Sequence, residues 1–229
     1  MSSPVAVAVP PVVERAQQSK GTSAAAIYRA VARALAGRTR GGLLLDVGCG
    51  TGNLWAHVAG LFDRYLGADV VRHPGLPADL PFCQVDLDVQ RVGLEDGVAD
   101  VVAAVETIEH LENPRAFFRE LVRLARPGGW VVVTTPNQLS LLSKLTLVLK
   151  NQFNAFQDGC YPAHLSALLE IDLRRIAAEC RLEEVAVAYT RQGRLPGTPY
   201  HYPRFLSRWL PRALSDNVVL VGRKPELQA

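Results

Sequence analysis

The amino-acid sequence predicts an α/β fold built on a doubly wound, mostly parallel sheet of seven strands. Short apolar segments alternate with helical patterns, a glycine-rich loop follows the first apolar segment, and acidic residues end the next two. Alternating strands and helices are typical of parallel sheets that carry helices on both faces. The 229 residues, 48% of them hydrophobic, suffice for a single domain over residues 1–229.

The predicted elements follow one another along the chain. An alanine-rich helix extends from about Thr22 to Gly37. The predicted strands are Leu43–Val47, Tyr65–Asp69, Phe82–Asp86, Asp100–Val105, Trp130–Thr134, Val185–Tyr189 and Asn217–Val221. Further helices are predicted over Asn53–Phe62, from Asn113 up to the turn at Pro127, and over Glu170–Cys180. Asn113 is suited to cap its helix and Pro114 to open it.

Three segments depart from this alternation. Residues 1–20, interrupted by Pro10 and Pro11, are expected to form a flexible tail, and residues 138–163 and 193–216 to form insertions on the ligand side of the sheet. The net charge of +3 is too small to indicate a nucleic-acid partner. Four scattered cysteines without a CxxC pair, and no signal peptide or membrane span, predict a reducing, cytoplasmic setting.

The loop after the first strand, residues 46–53, has glycines at alternate positions. Glycine lacks a Cβ, so the backbone can turn sharply there and approach a ligand closely. A dinucleotide-binding GxGxxG fingerprint would need a glycine where this chain has Asn53, and the Gly-Lys-Ser/Thr run of a P-loop is absent. The loop therefore predicts neither a nicotinamide site nor a nucleoside triphosphate site.

The pattern acid-x-Gly-x-Gly-x-Gly, present in full over residues 46–52, resembles the cofactor loop of class I S-adenosylmethionine (SAM)-dependent methyltransferases. The acidic ends of the second and third strands and the later run ARPGGWVVVTTPN match the same family, over about residues 43–190. The resemblance implies a Rossmann-like sheet whose last strand is antiparallel. It also implies SAM as cofactor, bound by Asp46, Gly48, Cys49, Gly50, Asn53, Asp69, Val70, Asp86, Leu87 and Val105.

The resemblance implies that each of the three acidic residues contacts a different part of SAM. Asp46 lies beside the methionine part, and Asp69 accepts both ribose hydroxyls, an arrangement that suits a two-oxygen carboxylate. Asp86 takes the adenine amino group, with Leu87 packed nearby.

The fourth strand ends in Glu106-Thr107-Ile108-Glu109-His110. A helical turn there would bring Glu106, Glu109 and His110 to one face. The run resembles the ExxEH motif of ubiquinone-pathway catechol O-methyltransferases and of small-RNA terminal-ribose O-methyltransferases. In the RNA group a second histidine completes a metal site, and His164 lies at a comparable distance here. The resemblance implies Mg²⁺ or Mn²⁺ bound by Glu106, Glu109, His110 and His164.

Glu109, His110 and His164 are the catalytic candidates. A metal that binds the acceptor oxygen would lower the pKa of its hydroxyl and hold it in line with the methyl carbon. Without a metal, His110 or His164 could take the proton. A purely structural role, in which the histidine orders the loop, stays open as a third interpretation.

The two insertions carry the acceptor hypotheses. Residues 139–149 are apolar and fit either a helix packed over the sheet edge or a lid for a lipidic or aromatic acceptor, in peripheral contact with a membrane. The arginines of residues 191–212 fit either a solvated face or a site for an anionic acceptor such as a phosphorylated sugar or RNA.

The predicted function is SAM-dependent methylation of a hydroxyl on a small or lipid-like acceptor, with or without a divalent metal. One alternative is an RNA ribose 2'-O-methyltransferase, which the modest charge and the absence of a recognisable RNA-binding module disfavour. Another is a non-catalytic, methyltransferase-like assembly protein, which the intact glycine loop disfavours. The sequence makes no prediction of oligomeric state.

Overall fold

A computed structural model of the chain describes residues 10–88 and 91–226. Its strands are β1 (Leu43–Val47), β2 (Arg64–Asp69), β3 (Phe82–Gln84), β4 (Ala99–Val105), β5 (Ala125–Pro136), β6 (Glu183–Tyr189) and β7 (Asn217–Arg223). They form a seven-stranded sheet in the order β3-β2-β1-β4-β5-β7-β6. β1 to β5 are parallel to one another, whereas β7 is antiparallel to both β5 and β6. The predicted Rossmann-like sheet with an antiparallel last strand is confirmed.

Helices cover both faces of this sheet. They are α1 (Pro11–Ser19), α2 (Ala25–Leu35), α3 (Trp55–Val58), α4 (Pro114–Leu124), α5 (Leu141–Lys150), α6 (Glu170–Glu179) and α7 (Arg204–Trp209). Successive side chains of each strand point to opposite faces, so Leu44 packs with α2 while Leu43 and Leu45 pack with α4 and α6. The sheet therefore separates two apolar cores.

Helix α4 begins as its sequence predicts. The Asn113 side chain accepts a hydrogen bond from the Ala116 N–H at 3.0 Å, and Pro114 occupies the first turn, where its missing N–H costs nothing. Phe118 and Leu121 are fully buried on the face that packs against the sheet. The helix thus fixes the position of the 106–113 segment that precedes it.

Two predicted boundaries were wrong. Only Trp55–Val58 of the predicted helix 53–62 is α-helical, and a 3₁₀ turn, Ala59–Leu61, follows it. Strand β5 begins at Ala125 and not at Trp130, because Ala125 already pairs with Ala99 of β4. The Pro-Gly-Gly turn lies inside β5, where the Gly128 N–H donates to the Lys224 carbonyl at 2.9 Å.

The predicted flexible tail contains a helix. Pro11, expected to interrupt local structure, lies in the first turn of α1, a position that favours proline. Arg15 of α1 is buried and forms an ion pair with Asp88, which follows β3. This contact holds α1 over the ligand side of the sheet; residues 1–9 of the predicted tail lie outside the described residues.

The two predicted insertions each contain a short helix, α5 and α7. Both helices keep large apolar side chains exposed, among them Val148 and Leu149 on α5 and Phe205 and Trp209 on α7. Within the described residues, every helix is too short or too polar to cross a bilayer.

A buried carboxyl group connects β1 to β2. Asp46 on β1 is 2% exposed and accepts a hydrogen bond from the Tyr65 hydroxyl on β2 at 3.0 Å. Burial raises the pKa of Asp46 to about 7, because the charged form loses its hydration, and the Tyr65 hydrogen bond only partly opposes this effect.

We expect the Asp46→Asn variant to have a different pH dependence of stability. A carboxyl group with a folded-state pKa of about 7, against 3.8 unfolded, favours the folded state fully below pH 3.8, and this contribution is lost as the pH rises through about 7. The unfolding free energy of the wild type, relative to Asp46→Asn, should fall by about 4 kcal/mol at most between about pH 4 and pH 8. Urea denaturation at each pH measures the difference.

The matched control is Asp79→Asn, because Asp79 is exposed. Its stability difference from the wild type should stay constant over the same range. If the difference in unfolding free energy between the wild type and Asp46→Asn also stays constant with pH, the raised pKa of Asp46 is contradicted.

Candidate functional site

The glycine loop after β1 lies against two other segments of the chain. Gly48 and Gly50 both have positive φ, 78° and 52°. A Cβ on Gly48 would lie 2.2 Å from the Thr107 Oγ1, and a Cβ on Gly50 would lie 2.2 Å from the Gly21 carbonyl oxygen. Glycine at these positions is required both by backbone conformation and by close approach.

Asp69 holds this loop from the end of β2. One carboxylate oxygen accepts the Gly50 N–H at 2.9 Å, and the other accepts the Val70 N–H at 2.7 Å. Burial raises the pKa of Asp69, while the backbone donors act in the opposite direction. The carboxylate therefore stands at the loop with hydrogen-bonding capacity left on both oxygens.

A cavity of about 280 Å³ lies between the glycine loop, α1, α2 and the segment after β4; we call it the main cavity. It is lined by eight of the ten predicted cofactor residues: Asp46, Gly48, Cys49, Gly50, Asp69, Val70, Leu87 and Val105. It is also lined by all four predicted metal or catalytic residues: Glu106, Glu109, His110 and His164. The two predicted sites thus form one continuous space.

Asn53 and Asp86 are not brought into this space. Asn53 is exposed, and its carbonyl is 3.0 Å from the His57 ring. Asp86 uses its carboxylate to accept the Asp88 N–H at 2.9 Å, which shapes the turn after β3. Their role at the cofactor stays a prediction that this geometry does not favour.

The backbone turns sharply at Glu106, where β4 leaves the sheet with φ of 52°. The Glu106 carboxylate accepts hydrogen bonds from Thr134 Oγ1 at 2.7 Å and from Asn217 Nδ2 at 2.6 Å. Burial raises its pKa to about 7. Because both oxygens are engaged by β5 and β7, Glu106 is set apart from the other three predicted metal ligands.

Glu109, His110 and His164 are brought together. One ligand atom of each lies within 4.8 Å of the others, and the two imidazole rings meet edge to face at 4.8 Å between centroids. His110 belongs to the 3₁₀ turn Ile108–His110, and His164 follows the first insertion. The predicted convergence of these residues is thus present in the structure, whereas Glu106 is not part of this cluster.

Hydrogen bonds orient both histidine rings. The Nδ1 of His110 lies 2.6 Å from the Ala163 carbonyl oxygen, and the Nδ1 of His164 lies 2.6 Å from the Ala155 carbonyl oxygen. Because a carbonyl only accepts, each Nδ1 carries the hydrogen and leaves Nε2 with a free lone pair. Burial lowers the pKa of His110 to about 4 and also lowers that of His164, so both rings are neutral at pH 7.

Glu109 differs from every other acid of the main cavity. It is 0% exposed, and neither carboxylate oxygen has a hydrogen-bond partner among the described residues. Burial and the nearby Glu106 raise its pKa well above the ordinary value. A buried carboxylate without partners is costly, and a cation or a proton would remove that cost.

Several lining residues were missed by the sequence analysis. Arg15 comes from α1, Tyr28 from α2, and His73 from the segment after β2. None stands in a recognisable motif, because each reaches the cavity through tertiary packing. The one sequence signal for α1 was the helix-forming pattern just after Pro10. Proline is common at the start of a helix, so the prolines there are compatible with a helix.

A second space, the side cavity, measures about 340 Å³ and opens beside the main cavity. Glu106 and His164 line both cavities. Residues of both predicted insertions, including Gln138, Asn154 and His201, form other parts of its wall. The insertions therefore lie where the acceptor-side prediction placed them.

Comparisons with known proteins agree with this geometry. Residues 18–180 match a family model described as a methyltransferase domain. A ubiquinone biosynthesis O-methyltransferase of Xanthomonas oryzae pv. oryzae is 32% identical over 165 residues, 64% of this chain and 65% of the relative. The aligned part thus spans less than two thirds of that relative's length.

Solved structures share the fold. A SAM-dependent methyltransferase from Archaeoglobus fulgidus gives a TM-score of 0.61 at 16% identity, covering 86% of this chain and 92% of the other. A possible histamine N-methyltransferase from Thermotoga maritima gives 0.62 at 17% identity, covering 86% and 88%. Because the family model matches residues 18–180, most of the chain, the chain belongs to the methyltransferase domain family, and its fold is that of solved SAM-dependent methyltransferases.

Proposed function

We propose that the protein transfers a methyl group from SAM to a hydroxyl oxygen of a small or lipid-like acceptor. The observation that carries the proposal is the main cavity. There the glycine loop and Asp69 line one end, while Glu109, His110 and His164 line the other. A cofactor site and an acid-base cluster in one space are what a direct transfer between two bound molecules needs.

The charges of the main cavity support a cationic cofactor. Four carboxyl side chains line it: Asp46, Asp69, Glu106 and Glu109. The guanidinium of Arg15 is already paired with Asp88. Anionic phosphates of a dinucleotide or triphosphate would be repelled by these carboxyl groups, whereas the sulfonium and ammonium of SAM would be attracted.

The residues present fit SAM. Asp69 has hydrogen-bonding capacity for a ribose diol on both oxygens, and the glycine loop leaves room for close backbone approach. Leu87 and Val70 supply apolar wall for an adenine ring. Bound SAM supplies a methyl group attached to a sulfonium sulfur. When the methyl group is transferred, the sulfonium becomes a neutral thioether, which is the leaving group.

The histidines are placed to handle the acceptor's proton. Transfer forms a C–O bond to the acceptor while the C–S bond breaks, and the hydroxyl proton must leave. Nε2 of His110 or of His164 is unprotonated at pH 7 and faces the cavity cluster, so either atom can hold that proton. An imidazolium formed there would in turn favour the ionised form of Glu109, which is buried beside the histidines.

A divalent metal also fits this cluster. Glu109 has no hydrogen-bond partner among the described residues, and each histidine uses its Nδ1 on a backbone carbonyl, so one carboxylate oxygen and two imidazole nitrogens can serve as ligands. Two imidazoles favour Mn²⁺ or a later transition metal over Mg²⁺, which prefers oxygen ligands. When bound, the cation would lower the pKa of the acceptor hydroxyl.

The nature of the acceptor is also part of the proposal. The O-methyltransferase name of the Xanthomonas relative supports oxygen as the atom methylated. Exposed apolar side chains on α5 support a lipid-like acceptor and peripheral membrane contact, and four free cysteines agree with a cytoplasmic location.

Asp69→Asn should weaken SAM binding by tenfold to a hundredfold, on the order of one or two charge-assisted hydrogen bonds. Calorimetric titration with SAM and with its demethylated product, S-adenosylhomocysteine, measures the loss. Both ligands carry the same ribose, so both should lose affinity alike.

Asp79→Asn is the control and should bind both ligands as the wild type does, because Asp79 is exposed and outside the main cavity. A loss confined to SAM would contradict ribose binding by Asp69. Failure of the folded wild type to bind SAM would leave the assembly-protein hypothesis in its place.

Metal binding is tested by titrating EDTA-treated protein with Mn²⁺. The concentration of the free ion is measured by electron paramagnetic resonance at each step. The wild type should take up Mn²⁺, and Glu109→Ala/His110→Ala should not, because two of three ligands are removed. His57→Ala, outside the cluster, should bind as the wild type does. Equal uptake by all three proteins would refute the metal site and leave the histidines as metal-free proton acceptors.

A further inference from the structure

Five arginines surround a third cavity, of about 650 Å³, between α2, the segment after β6 and α7; we call it the arginine cavity. The five are Arg29, Arg33, Arg191, Arg204 and Arg208. Among the described residues, its wall contains no aspartate or glutamate, and the other lining residues include Thr190, Gln192, His201 and Tyr202. The cavity therefore offers donors and positive charge without a compensating acid.

These five guanidinium groups lack a carboxylate partner among the described residues. Among the described residues, nine arginines form ion pairs with carboxylates: Arg15, Arg91, Arg115, Arg123, Arg126, Arg174, Arg194, Arg212 and Arg223. None of the five in the arginine cavity has such a partner in the described part of the chain.

Arg33 experiences the repulsion between these groups. Its pKa is lowered by burial and by the nearby positive charges of Arg191, Arg29 and Arg204. The fold keeps these guanidinium groups close together, although the repulsion between like charges is unfavourable. A bound anion would reverse the sign of the interaction, because every guanidinium would then face an opposite charge.

The arginine cavity adjoins the proposed methyl-transfer site. His201 lines both it and the side cavity, and the side cavity shares Glu106 and His164 with the main cavity. A molecule held by its anionic end among the arginines can extend through the side cavity towards the histidine cluster.

We propose that the arginine cavity is a binding site for a phosphate or diphosphate group. Guanidinium forks match phosphate oxygens in geometry and remain charged at all physiological pH values. Arg29 and Arg33, on one turn of α2, line the cavity together with Arg204 and Arg208 of α7. A bound anion could therefore accept hydrogen bonds from two helices. The side chains of Thr190, Gln192 and Tyr202 add neutral donors.

The test is a calorimetric titration with inorganic pyrophosphate at low ionic strength. Arg29→Ala/Arg33→Ala should bind it at least about tenfold more weakly than the wild type. Arg119→Ala/Arg175→Ala is the matched control, because it also removes two exposed helical arginines but leaves the cavity intact. The control should retain wild-type affinity.

SAM affinity, measured in the same variants, should be unchanged, because none of the five arginines lines the main cavity. If the wild type does not bind SAM, the proposed function is refuted, but the proposed anion site is not affected. Equal pyrophosphate affinity in both double variants would overturn the anion site instead. So would tight binding of single-stranded RNA with no measurable pyrophosphate binding, which would indicate a nucleic-acid surface.

A second arm distinguishes a soluble phosphate from a lipid-borne one. Phe205 and Trp209, beside Arg204 and Arg208 on α7, are exposed and could enter a bilayer surface. Phosphatidylcholine vesicles with and without phosphatidic acid are sedimented with the protein. Sedimentation that requires phosphatidic acid and is lost in Arg29→Ala/Arg33→Ala supports a lipid phosphate; pyrophosphate binding without sedimentation supports a soluble one.

Discussion

The hydrogen bonds of the Glu106 carboxylate are the constraint on which the acceptor end of the site depends. Glu106 leaves β4 in a left-handed conformation, and its carboxylate accepts donors from β5 (Thr134) and β7 (Asn217). This joins three strands at the sheet edge and fixes the direction of the turn that carries Glu109 and His110.

The charges of the site are divided between its two ends. Carboxyl groups line the main cavity, and unpaired guanidinium groups line the arginine cavity, with neutral histidines between them. Burial keeps the imidazoles neutral and raises the pKa values of the acids, and a cation bound in the main cavity would favour the ionised form of those acids. A cationic cofactor and an anionic acceptor would each find the opposite charge at its own end.

Much of the fold followed from local sequence, because strand period, helix caps and the glycine loop depend on neighbouring residues. Eight of ten predicted cofactor residues line one cavity for the same reason: parallel strand ends meet at one edge. Contacts distant in sequence were missed. Arg15 reaches Asp88, and Glu106 reaches Asn217, through packing that no local pattern encodes. The role of Glu106 as a metal ligand stays a prediction, and the spacing on which it rests does not reveal the donors Thr134 and Asn217.

The extent of the family match separates two parts of the molecule. The matched residues, 18–180, contain the glycine loop, Asp69 and the Glu109–His110–His164 cluster. Three of the five arginines of the arginine cavity, Arg191, Arg204 and Arg208, lie beyond residue 180. The family resemblance thus bears on the cofactor and the transfer chemistry, whereas the proposed anion site combines Arg29 and Arg33 from the matched part with three arginines outside it. The identity of the relatives' acceptors is accordingly a weaker guide to this chain's acceptor than the charge of its own cavity.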